Sequence, residues 1–326
     1  MRAGLDAIAT AAAIIAASML APAAAQDKYP SRPITLIVPF PAGGGVDAMG
    51  RIVADKLSAA LGQQVVVDNK GGAAGVIGTR LAAKAAPDGY TLVMATSGTT
   101  LINPTLYANP GYDPRKDFAP IGLIASTPIV LMAHPSAPAK TVAELIALAK
   151  AQPGKLDAGT PPPGTENYMA AVLFKATANV DMTIVPYKGT GPLTTDLIGG
   201  HIKYAFNTLP PAMSNVQAGQ LLAMAVAARS RVAILPDVPT VAESGLPGFE
   251  AVVYYGLLAP AGTPKDIIAR LNKELRGLTA LPEIRARIVA DGGEVLSSSP
   301  EEYAANIDQG EAKWSALIKR LGLKVE

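Results

Sequence analysis

The chain contains no cysteine and only two histidines, His134 and His201. A disulfide framework, a structural zinc site and a cysteine nucleophile are excluded on that count. Neither sign of charge is in surplus: 28 Lys and Arg stand against 26 Asp and Glu, for a net +2, and no basic run occurs. The electrostatic footprint of a nucleic-acid binder is therefore missing. No stretch reaches the ~18 uninterrupted apolar residues of a membrane-spanning helix. Nor is there a G-x-S-x-G elbow, an H-E-x-x-H pair or a G-x-x-x-x-G-K-[ST] loop, which removes three common catalytic or phosphate-binding signatures. No catalytic residue, metal ligand or cofactor is expected. What remains is 326 residues, 49% of them hydrophobic and 17% charged. That balance excludes disorder, and the length suits two domains.

The first 25 residues read as an export signal. Arg2 opens it, Ala7 to Ala21 is a short apolar run, and Ala23-Ala24-Ala25 is a small-residue cleavage pattern before Gln26. With no cysteine at the cleavage point there is no lipid anchor there, and the mature chain is expected to be soluble in the periplasm. Free nucleotide cofactors are scarce in that compartment.

Strands and helices then alternate. Ile34 to Val38 is a continuous apolar strand closed by Pro39-Phe40-Pro41-Ala42-Gly43-Gly44-Gly45, and Val46 to Leu61 is helical, with Asp47 as its N-cap and Gly62 as its stop. Val65 to Val67 is a second strand, Gly71 to Gly75 leads into a helix through Ala86, and Tyr90 to Ala95 is a third strand. A second set begins near Pro128 with a strand at Ile129 to Ala133 and a capping box at Thr141 and Glu144. Pro161-Pro162-Pro163-Gly164-Thr165 is a rigid loop before a helix to Ala178, and a strand ends at Ile184-Val185-Pro186. Strands are also expected at Tyr204 to Phe206 and Leu222 to Ala227, and helices open at Thr263 and at Ser299. Strand, glycine-rich turn and helix in succession indicate an α/β fold with a mostly parallel sheet, whose ligands bind at the strands' carboxyl ends.

Two kinds of chemistry fit those turns. Gly43-Gly44-Gly45-Val46-Asp47-Ala48 matches G-x-G-x-x-A, and Asp68 follows where a dinucleotide fold places its ribose acid. An exported or misassigned nicotinamide-dependent oxidoreductase is thus one alternative. Pro39, Pro41 and the export signal count against it. The other reading rests on the turns at 42–47, 71–75, 97–100, 164–167 and 189–192, each a helix N-terminus preceded by Gly, Ser or Thr. Free N–H groups there hold anions without a cationic side chain. Spread over two lobes, they suggest a carboxylate held in an interlobe cleft, although ordinary turn chemistry gives the same spacing.

The stretch Tyr29-Pro30-Ser31-Arg32-Pro33-Ile34 through Pro39 to Asp47 strongly resembles the substrate-binding proteins of tripartite tricarboxylate transporters, the Bug or TctC-like receptors. So do Gln64 to Asn69, Ala86-Pro87-Asp88-Gly89-Tyr90-Thr91-Leu92, Tyr112 to Phe118, Val185-Pro186-Tyr187-Lys188-Gly189, Leu235 to Glu243 and Ala259 to Pro264. The resemblance runs along essentially the whole mature chain. It implies a two-lobe Venus-flytrap, type II-like periplasmic binding protein that closes on a small carboxylic acid and delivers it to the large and small subunits of a membrane permease. Catalysis is not implied, nor a nucleic-acid partner, and a monomer is expected. Residues 26–127 and 250–326 would form one lobe and 128–249 the other.

By the same resemblance the loop from Phe40 through Ala42, Gly43, Gly44 and Gly45 to Asp47 would cradle a ligand carboxylate, with Ser97, Gly98 and Thr99 lining the same lobe. Thr165, Tyr168, Tyr187, Lys188, Gly189 and Thr190, with Asn207 beside them, would close from the second lobe. One departure stands out. Relatives often carry a Ser/Gly-rich loop ending in Ser-His-Leu where this chain reads Gly159-Thr160-Pro161-Pro162-Pro163-Gly164-Thr165-Glu166-Asn167-Tyr168-Met169. Glu166 either repels a second ligand carboxylate, pairs with a ligand amine, or is a solvent-facing acid of the first helical turn, and the last reading is favoured. Asp47 is favoured as an N-cap over a ligand contact, and Lys188 is a cationic contact or a solvated loop lysine.

Overall fold

The computed structural model describes residues 29–325; the export segment at 1–25 lies outside them. Strand β1 (Ile34–Val38) leads to helix α1 (Gly45–Leu61), β2 (Val65–Asn69), α2 (Val76–Ala83) and β3 (Thr91–Thr96). A π-helical turn (Gly98–Ile102) and α3 (Asn103–Leu106) precede β4 (Phe118–Ala133). Then come α4 (Val142–Ala151), β5 (Asp157–Thr160), α5 (Glu166–Ala178), β6 (Thr183–Pro186), α6 (Thr190–Ile198), β7 (Tyr204–Thr208), α7 (Met213–Gln217) and β8 (Leu222–Val226). The chain ends with β9 (Val252–Pro260), α8 (Lys265–Ala280), α9 (Pro282–Ala290), β10 (Glu294–Val295) and α10 (Pro300–Arg320).

The strand order is β2-β1-β3-β9-β4-β7-β5-β6, with β8 and β10 also on β4. β1 is parallel to both β2 and β3; Ile34, Leu36 and Val38 on one face are fully buried and Ile37 on the other is buried too, as in a strand covered on both faces. One strand spans both lobes. Phe118 to Pro128 of β4 pair antiparallel with β9, and Ile129 to Ala133 pair with β7. The returning chain crosses beside it, where the Ile129 N–H donates to the Ala251 carbonyl at 3.1 Å. Two adjacent extended crossings are the geometry of a hinge between lobes. Lobe 1 holds β1–β3, β9 and the first part of β4, with α8 and α10 packed on β4. Lobe 2 has its own core, in which Val130, Met132, Leu193, Leu197 and Leu209 are buried together.

Caps agree with the local sequence at some helix ends. Thr141 and Ser299 each form a capping box with the Glu three residues on, and Gly62 is left-handed at φ 71° after α1. Gly78 of α2 fills a tighter role. A Cβ there would lie 2.6 Å from the Lys70 carbonyl oxygen and 2.8 Å from Pro39 Cα, both backbone atoms that cannot swing away. Gly78→Ala should therefore lose about 1–3 kcal/mol, more than the ~1 kcal/mol of helix propensity gained. A thermal melt at or above wild type would contradict that packing.

Candidate functional site

The lobes face each other across a cavity of about 570 Å³. Lobe 1 supplies residues 40–46 and 72–75 with Thr96, Val253 and Tyr255; lobe 2 supplies Pro161, Pro162, residues 165–167 and 188–192, and Thr208. On the first wall Gly43 is left-handed at φ 82°, and its N–H donates to Asp47 Oδ2 at 2.9 Å. Asp47 also accepts from Arg51 Nε at 3.0 Å and from Asn69 Nδ2 at 2.9 Å. Burial would raise its carboxyl, but the bonds from Arg51, Gly43 and Asn69 outweigh this and hold it below the usual value. The N-cap of α1 is Gly44, not Asp47, and no side chain caps this helix. Asp47 sits within the first turn and reaches back to fold the glycine turn. The first N–H groups of α1 are thus left for a partner outside the helix.

The opposite wall repeats the arrangement. Gly189 precedes α6, which also has no side-chain cap. Lys188 stands beside it and forms no ion pair among the described residues. Two uncapped helix N-termini and one ammonium group facing a single cavity favour an anion between them.

Along one edge lobe 2 reaches lobe 1 directly. Tyr107 Oη donates to the Pro163 carbonyl at 3.3 Å, Ser97 Oγ donates to Glu166 Oε1 at 2.6 Å, and the Gly98 N–H donates to the same carboxylate oxygen. The favoured expectation of a solvent-facing Glu166 is therefore corrected: the side chain is 3% exposed, because the proline loop turns the start of α5 into lobe 1. Burial pushes its carboxyl up, against the opposing effect of the Ser97 and Gly98 bonds.

Of the expected site residues, Phe40, Ala42, Gly43, Gly44, Gly45, Thr165, Lys188, Gly189 and Thr190 line the cavity. The others are not among the residues that line it. Asp47 braces the glycine turn, Ser97 and Gly98 hold Glu166, and Thr99 Oγ1 bonds to the Thr96 backbone. The Tyr168 N–H donates to the N-cap hydroxyl of Thr165 at 3.3 Å. Tyr187 donates to Asp196 at 3.0 Å, and burial together with that carboxylate pushes its phenol up to about 12. Asn207 is fully buried and donates to Thr194 at 2.9 Å. Sequence reasoning did not single out Thr96, Asn167, Thr208, Val253 or Tyr255. Val253 and Tyr255 come from β9, and an unbroken apolar and aromatic run from Val252 to Tyr255 was the signal for them. The Gly72–Gly75 wall was legible as a turn without being chosen as a contact.

A two-lobe α/β body with such a cleft is the architecture of a periplasmic binding protein. Residues 49–323 match the family model described as the tripartite tricarboxylate transporter family receptor, and the chain belongs to that family. It is 34% identical over 314 residues to the protein BugT of Bordetella pertussis, covering 96% of each chain. A solved structure from R. palustris with adipate is similar at 34% identity and a TM-score of 0.86, covering 91% of this chain and 99% of that one. MatC from Rhodopseudomonas palustris with bound malate is similar at 31% identity and a TM-score of 0.83, covering 89% and 100%. The oxidoreductase alternative finds no support in these relatives. Asp68, the acid it would need at a ribose, pairs with Lys70 at 3.1 Å and lies outside the cavity lining.

Proposed function

We propose that the protein is a periplasmic solute receptor: it binds a small carboxylic acid between its lobes and passes it, chemically unchanged, to the large and small subunits of a membrane permease. The observation that carries this reading is the pairing of uncapped helix N-termini at Gly45 and Thr190 across one cavity, with Lys188 on its wall. The relatives solved with adipate and malate support it. In this reading residues 26–127 and 250–326 move as one lobe against 128–249, the mature chain begins at Gln26, and the receptor is a soluble monomer. The ligand favours the closed form because only there does it touch both lobes.

The test is a thermal-shift and calorimetric screen of the mature protein against mono-, di- and tricarboxylates, aromatic acids and amino acids. Saturation at about 100 times Kd should add roughly 2.7 kcal/mol to apparent stability for the cognate acid. Mass spectrometry should recover that acid unaltered. A chemically altered acid would point to an enzyme, and a screen in which no acid binds would remove the receptor reading.

A further inference from the structure

Glu166 belongs to lobe 2, yet the side chains and backbone groups that bond its carboxyl from other residues all belong to lobe 1. Oε1 accepts from the Ser97 hydroxyl and from the Gly98 N–H. The carboxyl also meets the hydroxyl of Thr96, which is 1% exposed and has no other partner. A Cβ on Gly98 would lie 3.1 Å from Glu166 Oε2 and 3.2 Å from Thr96 Oγ1, so Oε2 is the oxygen on that side. Ser97 Oγ in turn accepts from the Tyr254 N–H at 3.0 Å, which ties the contact to β9, the strand on which the chain returns from lobe 2.

All three partners are neutral. Of the titratable groups nearby, the Tyr255 phenol of β9 is itself pushed above its ordinary range, by burial first and then by the charge of Glu166. Lys188 shares the cavity without an ion pair to the carboxyl. An ionised carboxylate is costly in such a place, and burial accordingly raises this one. The neutral acid fits it fully: Oε1 accepts twice and the Oε2 hydroxyl donates to Thr96. Once the lobes part, the side chain meets water and returns to the ordinary acidity of a glutamate, about 4.3.

We propose that Glu166 is a proton-operated latch: closing the cleft takes up one proton at this carboxyl, and the ionised side chain favours the open form. The inference rests on the two-lobe motion of the receptor reading above and adds a control over closure that needs no solute. Its sign follows from which form holds the proton more tightly. Below the open-state value both forms are protonated and the latch has its full strength. As pH rises toward the raised closed-state value, only the open form gives up its proton. The closed-to-open ratio then falls by up to tenfold per pH unit, the limit for a single proton.

Small-angle scattering of the intact mature protein from pH 5 to pH 8, with no acid added, reads this directly. The radius of gyration should increase with pH. Glu166→Gln has the shape of the neutral acid, with an oxygen for Ser97 and Gly98 and an N–H for Thr96. It should keep the compact, low-pH radius throughout. Glu166→Ala has no latch and should hold one radius at every pH, at least as large as that of wild type at pH 8. The two histidines are the control: His134 bonds to Ser136 within lobe 2, and neither histidine lines the cavity. His134→Gln combined with His201→Gln should therefore leave the response unchanged. A wild-type radius that is constant with pH would overturn the latch, and this measurement needs no variant. So would a Glu166→Gln protein that is open throughout or responds to pH as wild type does, or loss of the response in the histidine double variant. None of these results bears on the solute screen, so the receptor reading stands or falls separately.

Discussion

Calorimetry on Gly45→Val should detect no binding of the acid that the wild-type chain holds, while circular dichroism stays native. Gly45 begins α1 at the cavity wall, and the nearest atom to a Cβ built there is the Tyr255 hydroxyl at 3.7 Å. That is ordinary contact, so the helix itself accepts a side chain. The two γ-methyls of valine would then stand in the space between the turn and Tyr255, where an anion must approach the uncapped N–H groups. Losing two hydrogen bonds to a charged group, at about 1.5–3 kcal/mol each, is a weakening of at least a hundredfold. Gly43→Ala is the contrasting case. Its Cβ would meet nothing within 4 Å, but its φ of 82° strains any L side chain, so it should cost stability more than affinity. Wild-type affinity in Gly45→Val would place the ligand away from this turn.

The contrast between these two glycines could not be drawn from the sequence, which shows three in a row and a helix after them. Local signals were legible wherever a short-range rule decides the conformation. The capping boxes at Thr141 and Ser299 formed, and Gly62 ended α1. Longer-range decisions were hidden. β4 runs for 16 residues from Phe118, through Pro120 and Gly122, residues that usually interrupt a strand. Register shifts at Pro120/Gly122 and Leu123/Ala125 absorb them, and the strand continues from lobe 1 into lobe 2. Gly256 breaks the look of β9 in a similar way; it is needed because the Tyr303 ring would lie 2.6 Å from a Cβ there. With β9 unseen, Val253 and Tyr255 could not be assigned to the cleft. Asp47 and Glu166 were misplaced for one shared reason. Both are acids in a first helical turn, where dipole and solvent offer a sufficient account, and only the tertiary partners Asn69, Ser97 and Gly98 show otherwise.

Gly164→Ala should hold the lobes apart. Gly164 belongs to the loop that lobe 2 lays on lobe 1, and its φ is 96°. A Cβ there would come within 2.4 Å of Asn103 Oδ1, 2.9 Å of Ala74 Cβ and 3.0 Å of Tyr107 Cε2, all on the opposite lobe. Asn103 cannot retreat easily, because it is fully buried and its Nδ2 donates to the Ala74 carbonyl at 2.9 Å. The same displacement would pull Glu166 from Ser97 and the Pro163 carbonyl from Tyr107. Each lobe keeps its own core, so the damage falls on the closed arrangement rather than on either fold. A ligand must then supply the lost contact energy before it can close the cleft, and apparent affinity drops by the fraction of closed form lost. Gly219→Ala separates this from backbone strain, since Gly219 lies in the same lobe at φ 70° with nothing within 4 Å of its Cβ. Both variants should melt lower, by about 1 kcal/mol of left-handed strain, but only Gly164→Ala should show a larger radius of gyration in small-angle scattering and fail to compact with the cognate acid. Equal compaction in the two variants would mean that the proline loop does not govern closure.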